Sequence, residues 1–116
     1  MGIGAYIIQT LAPLGLPVAD GLYQGKAEEY IYFVIADDRG GDFGNSEALC
    51  DLVSVQIHYR CPWGQSYTQK KRDIRNALED AGFTYPVIVD MSDAKDRIRH
   101  LVFECEIDSD EYIEEE

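Results

Sequence analysis

Apolar residues fall into distinct patterns along the chain, and each pattern predicts an element. At the start, Ile3, Tyr6, Ile7, Ile8 and Leu11 recur at helical spacing, until Pro13, Gly15 and Pro17 end the helix. Residues 18–23 read as a short strand, broken at Gly21 and closed by Gly25. Tyr30, Ile31, Tyr32, Phe33, Val34 and Ile35 then form an unbroken aromatic and β-branched run. Such a run predicts a central strand covered on both faces, because a strand with one solvated face alternates. Residues 52–60 do alternate, with Val53, Val55, Ile57 and Tyr59 on one side and Ser54, Gln56, His58 and Arg60 on the other.

Further along, Ser66 and Gln69 have the Ser-x-x-Gln spacing of a capping box, which predicts a helix start. Tyr67, Lys71, Ile74, Ala77, Leu78 and Ala81 share one side of that helix, and Gly82 supplies its stop. Residues 85–89 and 98–107 read as two strands joined by a polar turn over 91–96, with Pro86 favouring an edge or strand-start position. In the last strand Leu101, Phe103, Cys105 and Ile107 share a face, opposite Glu104 and Glu106. The order is α-β-β-β-α-β-β, which predicts an α+β fold with a mixed or mainly antiparallel sheet packed on two helices. Residues 1–107 are expected to form one domain, and 108–116, with six acids, a frayed acidic tail.

Between the second and third strands lies a polar, glycine-rich stretch, residues 37–46, longer than the two to five residues of ordinary hairpin loops. Asp37, Asp38, Arg39, Asp42 and Phe43 make it a candidate contact segment.

Charge narrows the function classes. Twenty-two acidic residues against ten basic ones leave a net charge of -12, so a surface that neutralises nucleic-acid phosphates is excluded. A surface that meets basic partners, or lines a passage through which DNA slides without sticking, remains open. Three cysteines, Cys50, Cys61 and Cys105, with no secretory pattern in residues 1–9, predict free thiols in a reducing compartment. No apolar run approaches the ~20 residues of a membrane-spanning helix.

Tests for site chemistry return little. His58 and Cys61 form one loose ligand pair without a matching second, and His100 and Cys105 fall on opposite faces of their strand, so no metal is expected. Cys61 lacks the oriented base and oxyanion hole of a nucleophile. Gly40, Gly41 and Gly44 carry Asp42 between them instead of the Lys-Ser/Thr ending of a phosphate loop, and Asp37, Asp38 and Asp42 do not follow the calcium-loop order. No catalytic residue and no cofactor is expected. Lys70, Lys71, Arg72 and Arg75 form a local basic patch, either a solvated helix face or a contact for the acidic segments of a neighbouring copy. Trp63, between Pro62 and Gly64, is either a lid on the core or an exposed anchor.

Several phrases carry a family likeness across nearly the whole chain. They are a short helix before Leu16-Pro17-Val18, the strand 30–35, the strand Ser54-Val55-Gln56-Ile57-His58-Tyr59, a helix ending Ala81-Gly82-Phe83, and the strand 97–103. In these the chain resembles the tail terminator, or tail completion, proteins of long-tailed bacteriophages and prophages. The resemblance implies a virion structural protein, not an enzyme, assembled in the host bacterial cytoplasm and located at the tail end. It implies a hexameric ring that caps the tail tube, ends its polymerisation and provides the head-joining surface. Its partners are then other copies of itself, the tail-tube protein and a head-completion or connector protein, with no membrane and no sequence-specific nucleic acid. Another head–tail connector, a minor capsid subunit or an acidic inhibitor of a basic host protein are the alternatives. Self-repulsion of such acidic subunits predicts a monomer when free, with residues 37–46 ordering on docking. Candidate contacts are Asp37, Asp38, Arg39, Asp42, Phe43, Trp63, Lys70, Arg72 and Arg75.

Overall fold

The computed structural model describes residues 2–40 and 51–108. The alternating segment becomes β3 (Asp51–Pro62), and it organises the sheet by pairing antiparallel with β2 (Tyr30–Gly40) on one side and β5 (Ile98–Asp108) on the other. β4 (Val87–Asp90) adds antiparallel to β5, and β1 (Val18–Asp20) adds parallel to β2, giving the order β1-β2-β3-β5-β4. With α1 (Ile3–Leu11) and α2 (Thr68–Asp80), this is an α+β fold in the predicted element order. Pro86 directly precedes the edge strand β4, where its missing N–H breaks no ladder.

Side chains of one parity build the core. Ile31 and Phe33 of β2, Val55, Ile57 and Tyr59 of β3, and Leu101 and Phe103 of β5 are fully or almost fully buried against Ile7 and Leu11 of α1 and Ile74 and Leu78 of α2. Each such side chain contributes about 1.5–3 kcal/mol. α1 approaches the sheet closely at Gly4, where a Cβ would lie 3.3 Å from Asp20 Oδ2 and 3.7 Å from Phe33 Cζ. The Tyr6 hydroxyl donates to the Ala81 carbonyl at 2.6 Å, tying α1 to the end of α2 and satisfying a carbonyl that the helix leaves free. Gly82, at φ 98°, closes α2 as expected.

Four expectations are corrected. The run 30–35 is covered on one face only: Ile31 and Phe33 are buried, whereas Val34 is 38% exposed and Tyr30 and Tyr32 are half-buried. Asp37, Asp38 and Arg39 do not belong to a loop, because β2 continues to Gly40, pairing them with Ser54, Val53 and Leu52. A register shift between Ile35 and Asp37 absorbs an extra residue and lets the ladder run on through polar sequence. The remainder of that segment, with Asp42 and Phe43, lies outside the described residues, as does 109–116. Ser66 caps nothing: α2 begins at Thr68 with no side-chain cap, and Gln69 Nε2 instead donates to Asp73 Oδ1 at 2.9 Å, an i to i+4 pair. Finally, β1 ends at Asp20, because Gly21 turns at φ 81° while its N–H reaches the Phe33 carbonyl at 2.8 Å. Among the described residues no helix is long and apolar enough to cross a membrane.

Candidate functional site: the uncovered face of the sheet

Both helices pack on one side, so the opposite parity of every long strand looks outward. Strand register arranges these side chains in rows. Tyr30, Arg60 and His100 form the first row, and Tyr32, His58, Val102 and Val89 the second. Val34, Gln56, Glu104 and Val87 form the third, followed by Ser54 beside Glu106. Val102 explains how this face holds together: it is 3% exposed yet absent from the helix-side core, so it is the apolar centre of a second, thin layer.

Rings dominate the first two rows. Tyr23 stacks on Tyr30 with centroids 4.2 Å apart, Tyr32 stacks on His58 at 4.4 Å, and His58 lies 5.0 Å from His100. A chain of polar contacts then crosses the face. His58 Nδ1 is 2.8 Å from His100 Nε2, His58 Nε2 is 3.3 Å from Gln56 Oε1, and Gln56 Nε2 donates to Glu104 Oε2 at 3.3 Å. One assignment satisfies every contact: Gln56 Oε1 accepts from His58 Nε2–H, which leaves His58 Nδ1 to accept from His100 Nε2–H. His58 is therefore neutral, and His100 donates from Nε2. Burial is the main force that pushes both histidines below their ordinary range, and Arg60 adds to it. Burial likewise raises the Tyr32 hydroxyl.

The face is electrically polarised. Arg60 and Arg97 stand at one end, where β3 finishes and β5 begins, while Glu104, Glu106 and Asp108 stand toward the other. Apolar residues remain uncovered between and beside them, with Val34 38%, Val87 63%, Val89 39% and Met91 58% exposed. Among the described residues no group of three or more His, Cys, Asp or Glu side chains is placed to hold a metal ion. Cys61 and Cys105 are buried, and burial pushes the Cys105 thiol up to about 12.

The contacts expected from sequence are scattered by the fold. Lys70, Arg72 and Arg75 lie on α2, across the sheet from the open face. Lys70 Nζ donates to the Leu14 carbonyl at 3.4 Å, and Arg75 lies over the Tyr85 ring at 5.7 Å. Trp63 is 36% exposed, so it is not a lid on the core, and the Arg99 guanidinium lies over its ring at 3.9 Å. The His58–His100 contact was missed, although both residues stand at outward positions of alternating strands; only the β3–β5 register brings them together.

The chain matches no model of a known protein family, and no curated protein sequence matches it.

Proposed function

We propose that this chain is a self-assembling virion subunit of the tail-terminator kind, one that forms a ring on the end of a tail tube, ends its growth and offers the surface that joins the head. The observation that carries this reading is the uncovered sheet face, polarised from Arg60 and Arg97 to Glu104, Glu106 and Asp108. A sheet face with exposed valines is stabilised by burial against another surface. Opposite charges along its length, ~13 Å apart at Glu104 and ~26 Å at Asp108 by strand rise, favour head-to-tail contact between copies. Head-to-tail contacts close into rings when the rotation between copies allows it. The family likeness in the strands 54–59 and 97–103 supports the same reading, since those segments form the centre of this face.

A net charge of -12 per subunit opposes assembly in isolation, so the ring forms on the tube end, where docking supplies the missing free energy. The reading assigns the chain no reaction and no cofactor. Light scattering and electron microscopy of the purified chain, alone and mixed with tail tubes, test it. Rings seated on tube ends are expected. A chain that stays monomeric at every salt concentration and leaves tubes bare would reject the reading, and a two-fold dimer would replace the ring.

A further inference from the structure

The basic end of the open face holds a cavity of about 310 Å³, formed where β2 begins, β3 ends and β5 begins. Glu28, Tyr30, Arg60, Pro62, Arg97 and Ile98 line it. Two of the ten basic side chains of a strongly acidic protein converge here. Among the described residues neither arginine is ion-paired, and Arg60 Nε is buried with no hydrogen-bond partner. That nitrogen is closed to solvent, so an incoming carboxylate would act on the charge of the guanidinium and not on Nε itself.

Arg97 adds an independent sign. Its backbone sits at φ 59°, the only described residue other than glycine in that region. The Trp63 N–H holds it by donating to the Arg97 carbonyl at 2.9 Å, and the Asp93–Ile98 bridge closes the turn beside it. Glycine would adopt this conformation without strain, so arginine stands there at a conformational cost. The cavity lies at the lower end of ligand-site volumes, ~300–1,000 Å³, which suits one anchoring side chain better than a folded surface. Its walls combine an aromatic ring, two apolar side chains and two cations, a match for an aromatic residue flanked by carboxylates.

Within this chain, residues 110–116 have that composition: Asp110, Glu111, Tyr112, Ile113, Glu114, Glu115 and Glu116. Resting on the self-assembly reading above, we infer that the pocket receives this segment from a neighbouring copy, with Tyr112 inserted and the adjacent carboxylates on Arg60 and Arg97. Reach excludes the subunit's own segment. Asp108 pairs with Leu52 at the far end of β5, ~33 Å from Ile98 at strand rise. Tyr112 lies only four residues past Asp108 and can extend at most ~14 Å from it. A linked neighbour, by contrast, brings its acidic end toward the basic end of this face, as the head-to-tail arrangement requires. Glu28 limits the number of carboxylates the pocket tolerates.

Fluorescence anisotropy with a labelled peptide of residues 108–116, added to the full chain at a dilution where it is monomeric, tests the inference. Saturable binding is expected, weakened as salt rises from roughly 0.05 to 0.5 M. Tyr112→Ala in the peptide, or Arg97→Gly in the protein, should each weaken it roughly 10-fold or more. Arg97→Gly should fold at least as stably as the parent, so that loss of binding cannot be ascribed to misfolding. No saturable binding, or binding indifferent to Arg97→Gly, overturns the inference. Capped tubes without peptide binding would remove the pocket and leave the ring, whereas peptide binding with bare tubes would keep the pocket and remove the terminator reading.

Discussion

His58 Nδ1 and His100 Nε2 face each other at 2.8 Å across the β3–β5 pair, a contact that exists only while at least one ring nitrogen carries no proton. Burial first, then coupling to His58 and the charge of Arg60, lowers His100 from 6.5 to about 4, with Asp90 pulling the other way. Burial, then Arg60, lowers His58 as well, against the opposing pull of Glu104. Below its ordinary pKa each imidazole takes up its proton more readily in the unfolded chain. The stability tied to the pair is thus complete above about pH 6.5 and is lost as the pH falls toward 4. After allowance for solvent at the partly exposed ring, His100 accounts for about 1–2 kcal/mol of that loss. Urea midpoints for the parent and His100→Gln should converge across this window, and parallel curves would refute the assignment.

Trp63 and Arg99 form a second testable pair. Arg99 lies 3.9 Å over the Trp63 ring and 5.0 Å from that of Tyr67, and its Nε is buried without a hydrogen-bond partner among the described residues. Trp63→Ala should cost about 1–2 kcal/mol, because the cation loses the face that compensates its burial. Trp63→Phe should retain most of the stability. Equal losses in the two variants, read from denaturant midpoints, would mean that the ring's π face is not what matters.

Tyr59 is fully buried, yet its hydroxyl donates to Glu29 Oε2 at 2.5 Å. Burial, then the bond to Glu29, raises its pKa above the ordinary tyrosine range. In an alkaline absorbance titration one tyrosine should therefore ionise only when the chain unfolds, and Tyr59→Phe should abolish that step. The same variant should destabilise the fold by about 1–2 kcal/mol, since it leaves a half-buried carboxylate short of a donor.

On the proposed reading, Val34 and Val89 should separate folding from assembly. Both stand on the open face, 38% and 39% exposed, so Val34→Glu or Val89→Glu should shift stability by no more than about 0.5 kcal/mol. Either change should prevent capping of tail tubes. Capping at parental levels by both variants, seen by electron microscopy, would remove this face from the interface.

Periodicity revealed the elements but not their partners. The alternation from Val53 to Tyr59 and from Leu101 to Ile107 identified the core strands, because burial on one face writes itself directly into sequence. The run from Tyr30 to Ile35 misled, because aromatic rings at Tyr30 and Tyr32 shield one another and neighbouring imidazoles on an open face, as buried side chains would. The bulge after Ile35 was hidden by the polar composition of Asp37, Asp38 and Arg39, whose pairing depends on β3 instead of local propensity. The pocket escaped for a related reason: Arg60 and Arg97 are 37 positions apart, and only strand register and the turn before Ile98 bring them to one cavity.

The hydrogen bond from Tyr6 to Ala81 spans 75 positions of chain, which bears on the order in which the molecule folds. Closing so long a loop is favoured only after many other contacts have fixed its ends. Docking of α1 is therefore expected late on the folding path, after α2 and the β3–β5 pair. Stopped-flow measurements on Tyr6→Phe should show faster unfolding with little change in the folding rate. A newly made subunit would then complete its outward-facing sheet before its opposite side is sealed, leaving the N-terminal helix as the last part of the monomer to settle.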